Sequence, residues 1–324
     1  MQQHKIRVGV LRGGPSREYD VSLRTGEAVL KNLPEHYFPV DVFISKDGTW
    51  HLHGLPKLPL QVLKHVDVVF NAMHGEYGED GKVQQILDYH QTPYTGSQSF
   101  ASALAMNKAT AKEAYRRQGI KTPVAMVVTA EKYRTEDIHS IFRSFHLPAI
   151  IKPIGSGSSF GVAKAENFHE LEAVLPRVLS EFGSALIEEF ISGREATCGV
   201  VENFRGQKLY SLLPIEIIKP TGNDIFDYET KYGGEAKEIC PGNFSPSEKT
   251  EIQRLAKEAH EALGLRHYSR SDFIVNPKRG IYTLETNTLP GLTSESLFPK
   301  ALEAVGADLP SFLDHLVKQA LLTN

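Results

Sequence analysis

The sequence predicts an α/β fold that opens on a doubly wound parallel sheet and continues into domains of mixed strands and helices. Three observations carry that expectation. Apolar strand candidates alternate with helical stretches through roughly the first 95 residues, which is the spacing of a parallel sheet. The 324 residues exceed one simple core and suit two or three domains of ordinary size. A composition of 41% hydrophobic and 23% charged residues, without low-complexity tracts, is that of a globular chain.

"KIRVGVL" (5–11) reads as the first buried strand, the turn "RGGPS" follows, and "YDVSLRTGEAVLKNL" (19–33) carries a helical pattern. "YFPVDVFI" (37–44) and "VDVVFNAM" (66–73) supply the next strands before "HGEYGEDGKVQQILDYH". Ligands of such a sheet gather at the carboxyl ends of its strands, where Gly13-Gly14 and His74-Gly75 lie. "SFASALAMNKATAKEAYRRQGI" (99–120) reads as one long helix closed by Gly119. The strands "PAIIKP" and "GVAKA" joined by "IGSGSS", a helix over 168–180 and the strand "ALIEEFI" form a compact middle unit. More strands, a helix over 247–264 and a terminal helix over 307–322 complete the chain. The segment 219–244 lacks periodicity, and its aromatic residues favour a lid over a disordered loop. The expected division is 1–95, 96–190 and 191–324.

A net charge of −3 without blocks of like charge argues against a nucleic-acid or polybasic membrane partner. The two cysteines, Cys198 and Cys240, lie far apart without metal-ligand spacing. That argues against a disulfide framework or zinc cluster and fits a reducing compartment. "MQQHKIRVGVL" enters a strand directly, with no apolar stretch suited to a signal peptide or membrane span, so a cytoplasmic protein is expected.

The chemistry is most legible in "YSRSDFIVNPKRGIYTLETN" (268–287), which reads as a hairpin. With "PKRG" as a four-residue turn, Asn276 pairs with Ile281, Ile274 with Thr283, Asp272 with Glu285 and Arg270 with Asn287. Side chains alternate faces along a strand, so Arg270, Asp272, Glu285 and Asn287 share one face. A surface salt-bridge patch is the plainer reading, but like carboxylates directly opposite each other repel. Two carboxylates and an amide make an oxygen site for magnesium, which takes a few carboxylates plus substrate phosphates.

Magnesium of this kind points to a nucleotide. "HGEYGEDGKV" fails as a Walker loop, because its spacing is wrong and Val83 stands where a hydroxyl is required. "LRGGPS" lacks the dinucleotide fingerprint. "IKPIGSGSSFGV" (151–162) remains: backbone N–H groups freed by Gly155, Gly157 and Gly161 can wrap phosphate oxygens, and Lys152 adds a compact positive charge. In "ALIEEFISGRE", Glu188 and Glu195 stand seven residues apart. They are either two surface glutamates or an adenine edge with a carboxylate for ribose hydroxyls.

The chain also resembles the ATP-grasp enzymes and, among them, the D-alanine–D-alanine ligases. The matching stretches are "GGPSREYDVS" (13–22), "HGEYGEDG" (74–81), "PYTGS" (93–97), "KPIGSGSSFGV" (152–162), "IEEFISGRE" (187–195), "YETKY" (228–232), "RSDF" (270–273) and "ETNTLPGLTSESL" (285–297). The resemblance implies a three-domain ATP-grasp fold, in which two α+β domains clamp ATP beside the N-terminal sheet domain. It implies a cytoplasmic homodimer that ligates two D-alanines through a D-alanyl phosphate with ATP and two Mg2+ (or Mn2+), for peptidoglycan synthesis.

Residue by residue, the resemblance matches Lys108 and Lys152 to phosphate-binding lysines, Glu188 to the adenine contact and Glu195 to the ribose ligand, with Ser159 and Phe190 as further nucleotide-binding residues. Asp272, Glu285 and Asn287 match metal ligands. Glu18 matches the acceptor of the first D-alanine's ammonium group, and His74 a neighbour of that substrate. Ser158 and Tyr232 match hydrogen-bonding partners of Glu18 that close the phosphate loop and lid. Lys231, Ser296 and Leu297 match the second substrate's carboxylate site, and Arg270 with the Gly291 N–H match the oxyanion donors. There are departures: Ser156 replaces an acidic residue of many relatives, Glu295 stands where histidine is frequent, and the lid is slightly short between Tyr232 and Pro241. The alternatives that keep nucleotide binding are a D-alanine–D-lactate or D-alanine–D-serine ligase, a ligase acting on peptides or carriers, and a non-catalytic nucleotide-binding module. Lys231-Tyr232 favours D-alanine over D-lactate or D-serine, "YETKY" and "GGPSREYDVS" weigh against a peptide or carrier ligase, and the metal ligands with Arg270, Glu18 and Tyr232 favour an enzyme over a non-catalytic module.

Overall fold

The computed structural model describes residues 5–135, 138–157, 160–219 and 237–322. Among the described residues, fifteen strands fall into three sheets in chain order. The first holds β1 (Ile6–Gly13), β2 (Tyr37–Ile44), β3 (Trp50–Leu52), β4 (Leu55–Lys57) and β5 (Val68–Asn71), in the spatial order β4-β3-β2-β1-β5. β1 runs parallel to both β2 and β5, while β3 and β4 add an antiparallel edge. Val8, Val10, Val68 and Phe70 are fully buried, as the unbroken apolar runs required of a two-sided sheet.

The second sheet is antiparallel, with β6 (Ala125–Thr129), β7 (Ala149–Pro153), β8 (Ala163–Ala165) and β9 (Ser184–Glu189) in the order β6-β9-β7-β8. The helix Phe168–Phe182 covers it, starting at Asn167, whose side chain accepts from Glu170 N, and ending at Gly183 with φ +74°. The third sheet contains β10 (Arg194–Phe204), β11 (Gln207–Ser211), β12 (Ile215–Ile218), β13 (Lys237–Ile239), β14 (Tyr268–Asn276) and β15 (Gly280–Asn287). Its order is β13-β12-β10-β14-β15, with β11 also on β10. The terminal helix Leu309–Leu322 returns to the first sheet, where Phe312, Leu313 and Leu316 share a core with Val10 and Phe70.

Three expectations are corrected. The long helix over 99–120 is two helices, Ser99–Met106 and Lys108–Arg117. Asn107 leaves helical geometry at φ −82°, ψ 102°, and its Oδ1 accepts from Ala109 N at 3.1 Å and Thr110 N at 3.2 Å. A side chain able to cap has interrupted a run whose propensity is otherwise helical. The break sets Lys108 at the first turn of the new helix, with its N–H donating to Ile154 O. Second, part of the segment expected as a lid is ordered sheet, since Lys237–Ile239 pairs with β12.

The third correction concerns the hairpin. Asn276 pairs with Gly280, Ile274 with Tyr282 and Phe273 with Thr283, so the turn is one residue tighter than the sequence suggests. A bulge between Asp272 and Phe273 then admits Leu284 as an extra residue, and beyond it Asp272 faces Glu285 and Arg270 faces Asn287 as expected. Without the bulge, the tight turn would set Asp272 against Leu284 and turn Glu285 to the opposite face.

The capping role of Asn107 predicts that Asn107→Ala lowers stability by about 1 kcal/mol. A urea midpoint below wild type with an unchanged slope is the expected result, and an unchanged midpoint would contradict it.

Candidate functional site

A cavity of about 830 Å³ opens where the three sheets meet, within the range of small-molecule sites. All the expected site residues that lie among the described ones line it. Ser158, Ser159, Lys231 and Tyr232, together with most of the expected lid, lie outside the described residues.

The hairpin forms one wall. Arg270 donates from Nε and Nη2 to the two oxygens of Asp272, each at 3.2 Å. Thr197 Oγ1 donates to Asp272 Oδ1 at 2.5 Å and Asn287 Nδ2 to Oδ2 at 3.1 Å. The Arg270 side chain is only 12% exposed. Burial works against its charge, but Asp272 and Glu285 more than offset that and raise its pKa above the ordinary value. The hairpin's other face is core: Phe273 and Val275 are buried, and Tyr115 and Ser271 both hydrogen-bond Thr286 Oγ1 at 2.8 Å. The Arg270–Asp272 ion pair is therefore part of a cavity wall rather than a surface patch.

Two carboxylates and an amide meet on this face. Among the described residues, no group of three or more His, Cys, Asp or Glu side chains could hold a metal ion. A set of this size falls short of an all-protein cage. It fits magnesium or manganese completed by water and phosphate oxygens.

Opposite lies the glycine-rich loop that follows β7. Lys108 Nζ donates to Ser156 O at 2.7 Å and pairs with Glu285 Oε2 at 3.2 Å, so one ammonium ties the loop to the hairpin. Lys152 pairs with Glu188, which also accepts from Lys112 Nζ at 2.7 Å. Glu188 is thus buried between two lysines, which removes the surface-glutamate alternative. Glu195 pairs with Lys219 at 2.6 Å; burial raises its pKa, with Lys219 opposing. Lys164 Nζ sits 4.3 Å over the Phe190 ring. The bulge gives the cavity an apolar floor as well, for Leu284 packs with Ile191, Ile274 and Tyr282.

At the far end, Glu18 precedes the helix Tyr19–Asn32. A Cβ on Gly157 would overlap Glu18 Oε2, so the glycine-rich loop runs against this carboxylate, which would have to shift for any larger residue. His74 Nε2 lies 2.8 Å from Thr25 Oγ1. Ser296 Oγ lies 2.8 Å from Thr293 Oγ1, and a Cβ on Gly291 would come within 2.9 Å of it. Leu297 begins a helix and is buried.

Two lining or supporting groups escaped the reading of the sequence. Glu79 is buried and accepts from Gly75 N at 2.8 Å, Leu289 N at 3.1 Å and Thr288 Oγ1 at 3.2 Å. It joins the His74 loop to the end of the hairpin. Burial first, then the charge of Glu18, pushes its pKa up to about 7. Lys112, the second counterion of Glu188, is the other. Its only signal was a lysine four residues after Lys108 on a helix, a pattern that ordinarily marks a solvated face.

The family model described as "D-ala D-ala ligase C-terminus" matches residues 115–318, and "D-ala D-ala ligase N-terminus" matches 7–62 and 54–97. A D-alanine–D-alanine ligase of Pelotomaculum thermopropionicum is 35% identical over 98% of this chain and 97% of its own length. One from Syntrophobacter fumaroxidans is 37% identical over 99% of each. Among solved structures, the VanG D-Ala:D-Ser ligase from Enterococcus faecalis has TM-score 0.87 at 28% identity, covering 98% of this chain and all of that one. The D-alanine-D-alanine ligase from Coxiella burnetii has TM-score 0.83 at 25% identity, covering 98% and 94%. Among the described residues no helix is long and apolar enough to cross a membrane.

The state of Glu79 generates a pH prediction. Between its ordinary value of 4.5 and its raised one of about 7, the folded protein keeps a proton that the unfolded chain has lost. The stability drawn from that proton is fully present below about pH 4.5 and lost as pH rises through about 7. The melting temperature of wild type relative to Glu79→Gln should therefore fall across that window and level off above it, corresponding to at most about 3 kcal/mol. A difference that does not change with pH would contradict the assignment.

Proposed function

The chain belongs to the D-alanine–D-alanine ligase family, and from that premise we propose that it joins two D-alanines using ATP. The route is a D-alanyl phosphate, with ADP and phosphate released and the dipeptide serving peptidoglycan synthesis. The observation that carries this reading is the hairpin face of Arg270, Asp272, Glu285 and Asn287 standing in one cavity with Lys108 and Lys152.

A carboxylate is a poor electrophile, and phosphorylation gives it a leaving group. Glu18 receives the first D-alanine's ammonium group beside His74, holding its carboxylate toward the nucleotide. Lys108 and Lys152 bind phosphate oxygens and offset their charge, with Ser159 as a further contact; Glu188 and Phe190 border the adenine and Glu195 the ribose. Asp272, Glu285 and Asn287 would hold magnesium or manganese, two ions by resemblance, which when bound neutralises charge on the transferring phosphoryl group. The second D-alanine docks its carboxylate at Ser296, Leu297 and Lys231, and its amine attacks the acyl phosphate. Arg270 and the Gly291 N–H then face the carbonyl oxygen on which negative charge develops. Acyl phosphates hydrolyse in water, so closure by Ser158 and Tyr232 over Glu18 precedes the chemistry.

The division into units 1–95, 96–190 and 191–324 belongs to the same proposal, with the helices at 99–117 and 309–322 packing across it. So does the homodimer implied by the resemblance, for which the exposed Leu58, Leu60 and Tyr89 around one surface depression offer an apolar face. The likeness to a D-Ala:D-Ser ligase keeps D-serine as a second reading for the second site.

Purified protein given ATP, magnesium and D-alanine should release phosphate and form the dipeptide, with D-alanine preferred when D-serine and D-lactate compete. No phosphate above background with any D-amino acid would remove the enzymatic reading. Arg270→Lys should lower turnover by about a hundredfold, since lysine lacks the planar donor fork. Near-normal turnover in that variant would move the oxyanion role elsewhere.

A further inference from the structure

Glu188 lies on β9 with its side chain 2% exposed, and both of its counterions are lysines. They are not equivalent. Lys152, from β7, lines the cavity alongside Glu188 and feels Glu285 across it. Lys112 is 1% exposed, stands on the helix Lys108–Arg117 and is not among the residues lining the cavity. Its ammonium is held from behind by Glu188 Oε1 and Thr122 Oγ1, each at 2.7 Å. Among the described residues, the buried charges at this point are thus one carboxylate and two ammonium groups, with Arg116 and Glu285 the other ionic groups acting on the lysines.

Burial alone would push the Glu188 carboxyl up; Lys152 and Lys112 outweigh it and hold it below the ordinary value. Burial pulls Lys112 down to about 8, against the attraction of Glu188, which leaves it mostly charged at neutral pH. If Lys152 were the sole partner of Glu188, a phosphate claiming that lysine would strand a buried anion, at a cost of several kcal/mol. A rear lysine removes that conflict.

We propose that Lys112 is a positioning residue for nucleotide binding: it is the standing counter-charge of Glu188, freeing Lys152 for phosphate while Glu188 stays an anion that only accepts hydrogen bonds. The inference deepens the ATP-dependent reading above and rests on it. With Lys112 neutral, the nucleotide either fails to draw Lys152 away or does so as Glu188 takes up a proton. Binding coupled to proton uptake weakens as pH rises.

Calorimetric titration of magnesium-ATP into wild type, Lys112→Met and the double variant Lys112→Met/Glu188→Gln, each in two buffers of different ionisation heat near neutral pH, separates these cases. Lys112→Met should bind about tenfold or more weakly, take up about one proton per nucleotide beyond wild type, and lose affinity with rising pH. The double variant should lose the extra proton. Should Lys112→Met not fold, Lys112→Gln, which keeps donors for Glu188 and Thr122 without the charge, is expected to show the same uptake. Weaker binding without added proton uptake would mark Lys112 as mere support and overturn the proposal; so would wild-type affinity, or uptake that persists in the double variant. Failure of wild type itself to bind ATP would remove the ligase reading and this inference with it.

Discussion

Asp272 and Glu285 stand directly opposite one another on neighbouring strands, an arrangement that costs free energy unless positive groups surround it. The site is organised around meeting that demand. Arg270, Thr197 and Asn287 all donate to Asp272, and Lys108 reaches Glu285. Two of those partners depend on a local device elsewhere. Lys108 arrives because Asn107 breaks the preceding helix and restarts it. Thr197 arrives because β10 pairs with β14 in register, Thr197 against Asp272. The bulge at Leu284 keeps both carboxylates on one face and supplies an apolar floor beside them.

A second charge cluster extends the same logic into the wall behind the glycine-rich loop. Lys112, Glu188 and Lys152 would each cost several kcal/mol to bury alone, and replacing such groups with apolar residues is frequently neutral or stabilising. Their presence therefore speaks more for function than for stability. Glu79 makes a similar case at the other end of the cavity, where a buried carboxyl near neutral pKa ties the His74 loop to the segment leaving the hairpin. Buried charge runs the length of the cavity, and each element contributing to it comes from a different part of the chain.

The amount of this legible in the sequence followed from how local each signal is. The parallel opening, the hairpin, the glycine loop and the facing of Asp272 by Glu285 all rest on periodicity or short-range pairing, and they were readable. The sequence places the pairing near the turn one residue off because turn length and bulge offset each other: no side chain in "PKRGIYTLE" announces that Leu284 is extra. The helix over 99–120 looked continuous because capping by Asn107 competes with strong helix formers on both sides. Glu79 and Lys112 were invisible for another reason. Their partners, Leu289 and Glu188, lie 210 and 76 residues away, and nothing local distinguishes a buried lysine or glutamate from a solvated one.

The paired carboxylates of the bulged hairpin, with Asn287, are proposed as the nucleotide's metal site. A crystal grown with manganese and a non-hydrolysable ATP analogue, measured at the manganese absorption edge, tests it most directly. Anomalous peaks are expected within coordination distance of Asp272, Glu285 and Asn287, beside phosphates contacted by Lys108 and Lys152. Bound nucleotide with manganese ligated by other residues, or with no metal at this face, would contradict it.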